Sequence, residues 1–215
     1  MKIYLAGWVL AVFLAGTAWG ATVTYREELS GAVKTTVPVI QGGKGEADAA
    51  VNPSLAALVE DQVRSLKDGD PRELIVEGRA ELLEGPLWSF SFEGMVDFEG
   101  AAHPSSTKKG ATFDAASGRA LSLEELFLPG TDWARAVNAQ LALAIDRQVA
   151  EDDLMLFDEG TPDVAEYADQ FFLRPGALVI FWTDTQFAPH ACGQPEFVLP
   201  RSAFESLLRP EYASW

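Results

Sequence analysis

The chain has little cysteine, little histidine and few cations for its length. Cys192 is its single cysteine, so no internal disulfide can form and the core must be held by burial alone. A lone cysteine of this kind reads as a small buried hydrophobe. His103 and His190 are its two histidines. Even with Cys192 they make three ligands, and a zinc site of that set would need a fourth ligand or a water. Lys and Arg number 16 against 32 Asp and Glu, a formal net charge of −16. Such a surface repels nucleic acid and anionic lipid, because binding either requires cations to replace counterions. It steers toward a basic partner instead. After the first twenty residues no stretch is apolar enough to span a bilayer. The sequence also lacks a Gly-x-Ser-x-Gly elbow, a His-Glu-x-x-His motif, a phosphate-binding loop and a dinucleotide fingerprint. No cofactor, metal site or catalytic residue is assigned.

Residues 1–20 read as a secretory signal. Lys2 forms the basic n-region and Ile3 to Leu14 the apolar h-region. Ala18-Trp19-Gly20 places small residues at the positions cleavage requires. Cleavage before Ala21 would leave residues 21–215 and, with Lys2 lost, a net charge of −17. The expected location is therefore exported, periplasmic or secreted, with no stable membrane insertion after cleavage.

Strand and helix signals give an α+β class: antiparallel β-hairpins with helices packed on them. Thr22–Glu28 and Ala32–Ile40 form one predicted hairpin, rich in β-branched residues. A loop follows at Gln41–Gly45. A helix is expected to start at Asn52-Pro53, with proline at its first position, and to bury Leu55, Leu58, Val59, Gln62 and Leu66. Glu73–Leu83 and Leu87–Phe98 form a second hairpin. In it Trp88, Phe90 and Phe92 share one face, and Ser89, Ser91 and Glu93 the other. A strand at Lys109–Asp114 leads to the turn at Ala115–Gly118. Ser122 and Glu125 make a capping box, and a helix is predicted over Asp132–Val149. Eight carboxylates crowd an acidic loop between Glu151 and Asp169, without the spacing of a calcium-binding EF-hand. Short strands at Phe171–Arg174, Ala177–Asp184 and Phe197–Leu199 precede a terminal helix capped by Ser202. Two closely packed subdomains are expected, at residues 21–84 and 87–212.

Two short blocks carry the functional reading. One is Phe98-Glu99-Gly100-Ala101-Ala102-His103-Pro104, followed by Thr112-Phe113-Asp114 and Leu121-Ser122-Leu123-Glu124-Glu125-Leu126-Phe127. The other is Phe187-Ala188-Pro189-His190-Ala191-Cys192-Gly193. In order and spacing they resemble the extracytoplasmic domain of lysozyme-sensing anti-sigma factors of the RsiV type. They are also similar to the non-catalytic N-terminal region of PdaC-type peptidoglycan deacetylases. The matching positions include Gly100, Ala102, His103, Pro104, Phe113, Asp114, Gly118, Pro189, Ala191 and Gly193. Tyr25, Val37-Pro38-Val39-Ile40 and Val51-Asn52 extend the likeness into the first half. Ala101 and His190 depart from the pattern, standing where the family has glycine and tyrosine.

The sequence shows no cytoplasmic sigma-binding segment, internal membrane span or deacetylase domain. The resemblance thus implies a free-standing exported recognition domain of the cell envelope. It would bind a basic protein such as a lysozyme, or cell-wall glycan. The expected binding or turn residues are Gly100, His103, Pro104, Pro189, His190 and Gly193. The alternative is a cell-wall hydrolase using His103 with a nearby carboxylate.

Overall fold

The computed structural model describes residues 21–43, 46–157 and 162–215. The expected signal at 1–20 lies outside them, as do Lys44 and Gly45 of the first loop and residues 158–161 of the acidic loop. The fold is α+β. It runs β1 (Thr22–Ser30), β2 (Val33–Gln41), α1 (Ala47–Leu66), β3 (Glu73–Glu84), β4 (Leu87–Asp97), β5 (Ser105–Asp114), β6 (Ala120–Leu121), α2 (Trp133–Glu151), β7 (Phe171–Arg174), β8 (Ala177–Phe181) and β9 (Glu196–Pro200). Strands β1 to β6 form one six-stranded sheet in chain order, and β7 to β9 a three-stranded one.

Neighbouring strands pair antiparallel except β2 and β3, which run parallel from Val33↔Leu74 to Thr36↔Glu77. A parallel pair needs a crossover, and α1 supplies it. The β3–β4 pairing extends from Glu73↔Asp97 to Glu84↔Leu87. The division expected between residues 84 and 87 falls in the tight turn of this hairpin, so both segments share one sheet.

The alternation in β4 sets the layering. Trp88, Phe90 and Phe92 are fully buried with Val51, Leu55 and Val59 of α1 in one core. A second core joins Val137, Leu141 and Ile145 of α2 to Leu173, Leu178 and Ile180 of the small sheet. Between the two cores lies the polar face of β4 and β5, which the alternation alone would leave to solvent. Instead, Phe172, Val179 and Phe181 of the small sheet form a separate apolar cluster. Lys108 approaches the Phe172 and Phe181 rings at 5.9 Å from each centroid. Ser89, Ser91 and Thr112 are buried here, and the Leu173 amide donates to the Ser89 hydroxyl at 2.8 Å.

This buried polar layer is closed by charge. The side chain of Lys108 is only 3% exposed, and its Nζ donates to Glu93 at 3.0 Å and to Glu196 of β9. Arg174 pairs with Glu196 at 2.8 Å and with Glu81 at 2.9 Å. Glu81 sits at the β3 irregularity between Ala80 and Leu82. It also accepts from Ser91 at 2.6 Å. Burial would raise the Glu196 carboxyl, but the hydrogen bonds and charges of Lys108 and Arg174 outweigh it and hold the group below its ordinary range.

Four elements differ from the sequence-based expectation, one of them β8, which ends at Phe181 rather than Asp184 because the chain turns at Thr183 onto the Gln186 side chain. Helix α1 begins at Ala47, five residues before Asn52, and Pro53 lies inside it. Asn52 is not at the helix start. Its side chain brackets β2, accepting from the Ile40 amide at 2.8 Å and donating to the Ile40 carbonyl at 2.9 Å. Strand β5 begins at Ser105 because it pairs with β4 as far as Val96. The terminal helix is absent: residues 201–203 and 210–212 form separate 3-10 turns. Phe204 and Leu208 still reach the second core, so burial rather than helical periodicity fixes this segment.

Gly110 shows how closely the sheets approach. A Cβ at this position would lie 1.8 Å from the Phe171 carbonyl oxygen. Gly110→Ala should therefore destabilise the protein by about 2 kcal/mol or more, the cost of overpacking against backbone. An unchanged denaturant midpoint would contradict the close approach. Glu196 predicts a pH dependence. Its folded-state pKa is depressed, so its contribution is present above the ordinary carboxylate range and lost as pH falls through the folded value. Glu196→Gln should lower stability at neutral pH and give a shallower loss on acidification, read by denaturant melts from pH 7 to pH 3.

Candidate functional site

The two sequence blocks meet at one end of the fold. The first is the β4–β5 connection. Its turn is closed by the Ala101 amide donating to the Phe98 carbonyl at 3.1 Å. Gly100 has φ +84°, the left-handed conformation that a type II turn requires at its third position. Pro104 ends the loop, and the His103 Nδ1 lies 3.2 Å from the Pro104 carbonyl. The second block follows β8. Pro189 precedes a single 3-10 turn, His190–Cys192, which Gly193 terminates at φ +65°.

The imidazoles of His103 and His190 stack, with ring centroids 3.9 Å apart and planes inclined by 23°. Asp184 fixes the lower ring. The His190 Nδ1 stands 2.8 Å and 3.0 Å from the two Asp184 oxygens. Asp184 is 9% exposed and His190 36%. With Nδ1–H donating to the carboxylate, Nε2 is the ring nitrogen left for another partner. Asp184 also accepts from the Ser106 hydroxyl at 3.4 Å, tying the start of β5 to the same carboxylate. The turn carrying Asp184 is strained. Thr185 has φ +60°, which a β-branched residue rarely adopts. The Gln186 side chain holds the turn by accepting from the Thr183 amide at 3.0 Å and the Thr183 hydroxyl at 3.1 Å.

The chemistry available is limited by this order of contacts. Ser106 donates to the carboxylate and not to an imidazole, so the group that would activate a hydroxyl is not next to one. Stacked rings direct their in-plane lone pairs along separate planes, and two such rings do not converge on one ion. Among the described residues no group of three His, Cys, Asp or Glu side chains is placed to hold a metal. His190 and Cys192, which an extended segment would put on one side, diverge because the segment is a 3-10 turn. The Cys192 thiol lies 3.9 Å from the Met155 carbonyl, beside a separate cavity of about 400 Å³. The structure brings His103 and His190 into contact, with Gly100 and Pro104 in the loop that carries His103 and Pro189 and Gly193 flanking the turn that carries His190, and assigns Cys192 elsewhere. Sequence reasoning missed Asp184. Its nearest signal was position, since it follows the apolar run of β8 and precedes the Phe-Ala-Pro-His block.

Other motif residues serve the fold. Asp114 accepts from the Ser117 amide at 2.8 Å, the Ala116 amide at 3.1 Å and the Tyr212 hydroxyl at 3.0 Å. Burial opposes these contacts, but they prevail and keep its carboxyl below the ordinary range. Glu125 accepts from the Ser122 amide at 2.8 Å, completing one arm of the expected capping box.

Residues 124–202 match a family model described as "Protein of unknown function (DUF3298)". The match spans α2, the small sheet, Asp184 and His190. The His103 loop lies before it. The fold is similar to that of a DUF3298 family protein from Pseudomonas aeruginosa PAO1, with TM-score 0.62 and 15% identity over 93% of this chain and 99% of that one. A DUF3298 family member from Bacteroides fragilis NCTC 9343 is similar at TM-score 0.60 and 13% identity, covering 90% of this chain and 95% of that one. No curated protein matches. Among the described residues no helix is long and apolar enough to cross a membrane.

Asp184 and His103 should separate in a stability test. Asp184→Ala removes the acceptor of two donors and should cost about 2 kcal/mol, as for a hydrogen-bonded charge. His103→Ala, on an exposed ring, should stay within about 0.5 kcal/mol. Equal costs in chemical denaturation would contradict the assigned roles.

Proposed function

We propose that this protein is an exported, non-catalytic recognition domain of the bacterial cell envelope. Its partner on this reading is a basic protein of the lysozyme class. The contact surface is the one formed by Gly100–Pro104 and Pro189–Gly193. The observation that carries the reading is the His103–His190 stack. It joins the two blocks that resemble the RsiV and PdaC type domains into one partly exposed surface, anchored from beneath by Asp184. The net charge, −17 once residues 1–20 are removed, would speed encounter with a cationic partner. The hydrolase reading, His103 with a nearby carboxylate, draws no support from the site, since the His103 Nδ1 lies against the Pro104 carbonyl and Asp184 is engaged by His190 and Ser106.

The test is a binding titration of residues 21–215 with a chicken-type lysozyme at low and physiological salt, with muramidase activity followed in parallel. Saturable binding that weakens with salt and drops about tenfold or more in His103→Ala, His190→Ala or the double variant is expected. Loss of muramidase activity in the complex would make the protein a soluble trap; retained activity would make it a sensor. Absence of binding at both salts would overturn the lysozyme assignment. Binding of peptidoglycan fragments instead, with the same sensitivity to His103→Ala, would move the ligand to cell-wall glycan.

A further inference from the structure

A second surface, independent of the histidine stack, lies at the edge of the large sheet. Among the described residues β6 pairs only with Thr112 and Phe113 of β5. From Ser105 to Ala111, β5 has a strand partner on one side alone, β4. The chain leaves the edge at Ser122 because the Ser122 amide and hydroxyl both turn to the Glu125 carboxylate, at 2.8 Å and 3.2 Å. A cleft of about 700 Å³ opens where β6 would run had it continued. Ala57 and Leu58 of α1 form one wall, Ala168 and Phe171 another, and Gly110 and Ala111 the floor. Its size is that of a ligand pocket, and most of its lining is apolar.

The backbone decides what kind of ligand fits. The Asp114 amide donates toward β6, to the Arg119 carbonyl at 2.9 Å. Along a strand these groups alternate sides, so the amides and carbonyls of Thr112, Gly110 and Lys108 face the same outer edge; those of Thr112 pair with Leu121 of β6, which leaves Gly110 and Lys108. Exposed edges are usually blunted by charged side chains, lysine above all. Here both edge lysines are committed elsewhere, Lys108 to Glu93 and Glu196 and Lys109 to Asp61. Gly110 and Ala111 leave the edge unguarded beside the cleft. Asp169 lines the cleft as an exposed carboxylate, with no ion pair among the described residues.

We propose that this edge takes an extended peptide segment as an added strand. Its backbone pairs with Gly110 and Lys108, its small apolar side chains enter the cleft, and a Lys or Arg reaches Asp169. Strand addition draws affinity from main-chain hydrogen bonds and selectivity from the pockets under alternate side chains.

The test uses a fluorescein-labelled peptide of alternating Val and Thr with a Lys at each end, titrated against residues 21–215 by anisotropy. Saturable binding is expected. It should be lost in a copy with two central prolines, which cannot donate to an edge. It should weaken about tenfold or more in Ala57→Arg, which places a cation in the mouth of the cleft from an exposed helical position. His103→Ala should leave it unchanged, separating this site from the histidine surface. Amide shifts of Gly110 and Lys108 in the unsubstituted protein keep the test decisive if Ala57→Arg fails to fold. No saturable binding, binding that survives the prolines, or shifts centred on His103 and His190 would overturn the proposal.

Discussion

Lys108 is a cation held between two β-sheets, and the layering of the molecule depends on how it is neutralised. It reaches Glu93 on the sheet that carries it and Glu196 on the sheet that covers it. Removing a charge from water is costly unless it is paired and hydrogen-bonded. Here one ammonium, two carboxylates and the Arg174 guanidinium share that cost across the junction. The apolar cluster of Phe172, Val179 and Phe181 supplies the rest of the contact. Serines and Gly110 make it possible, because larger side chains would keep the sheets apart. Buried ionic groups add little net stability compared with apolar packing, yet they tolerate few alternative registers. In this fold the Lys108–Glu196 and Arg174–Glu81 pairs cross from one sheet to the other at the face that the small sheet covers.

That placement determines the candidate site. Ser106, at the start of β5, and Asp184, after β8, come within hydrogen-bond distance because the two sheets are locked face to face. His190 follows Asp184 by six residues, and His103 closes the other side of the stack. A shift of one sheet across the other would separate the imidazoles. The strained Thr185 is consistent with a turn held in place by its surroundings rather than by its own preference. The peptide edge at β5 has a different origin. It exists because the Ser122–Glu125 cap diverts the chain after two residues of β6.

Much of this was legible in the residues themselves. The period-two aromatics of β4 named the first core, and the stripe Leu55, Val59, Gln62 and Leu66 named the buried face of α1. The two loop blocks were recognisable, and they do meet. What stayed hidden was non-local. Ser89 and Ser91 fall on the face opposite the aromatics, and nothing in their own strand shows that another sheet covers it. The partners of Lys108 lie 15 and 88 residues away. The early start of α1 was obscured by Pro53, whose usual place is the first helical turn. Asp184 was one acidic residue among 32 until the fold put it under His190.

The most direct test of the central role given to Lys108 is native-state hydrogen exchange on Lys108→Met. The substitution keeps much of the side-chain volume and leaves Glu93 and Glu196 without their shared cation. If Lys108 locks the sheets together, amides of β7, β8 and β9 will lose protection while those of β1, β2 and the α1-facing core keep theirs. Protection that falls evenly across both sheets, or that does not fall at all, would contradict this account.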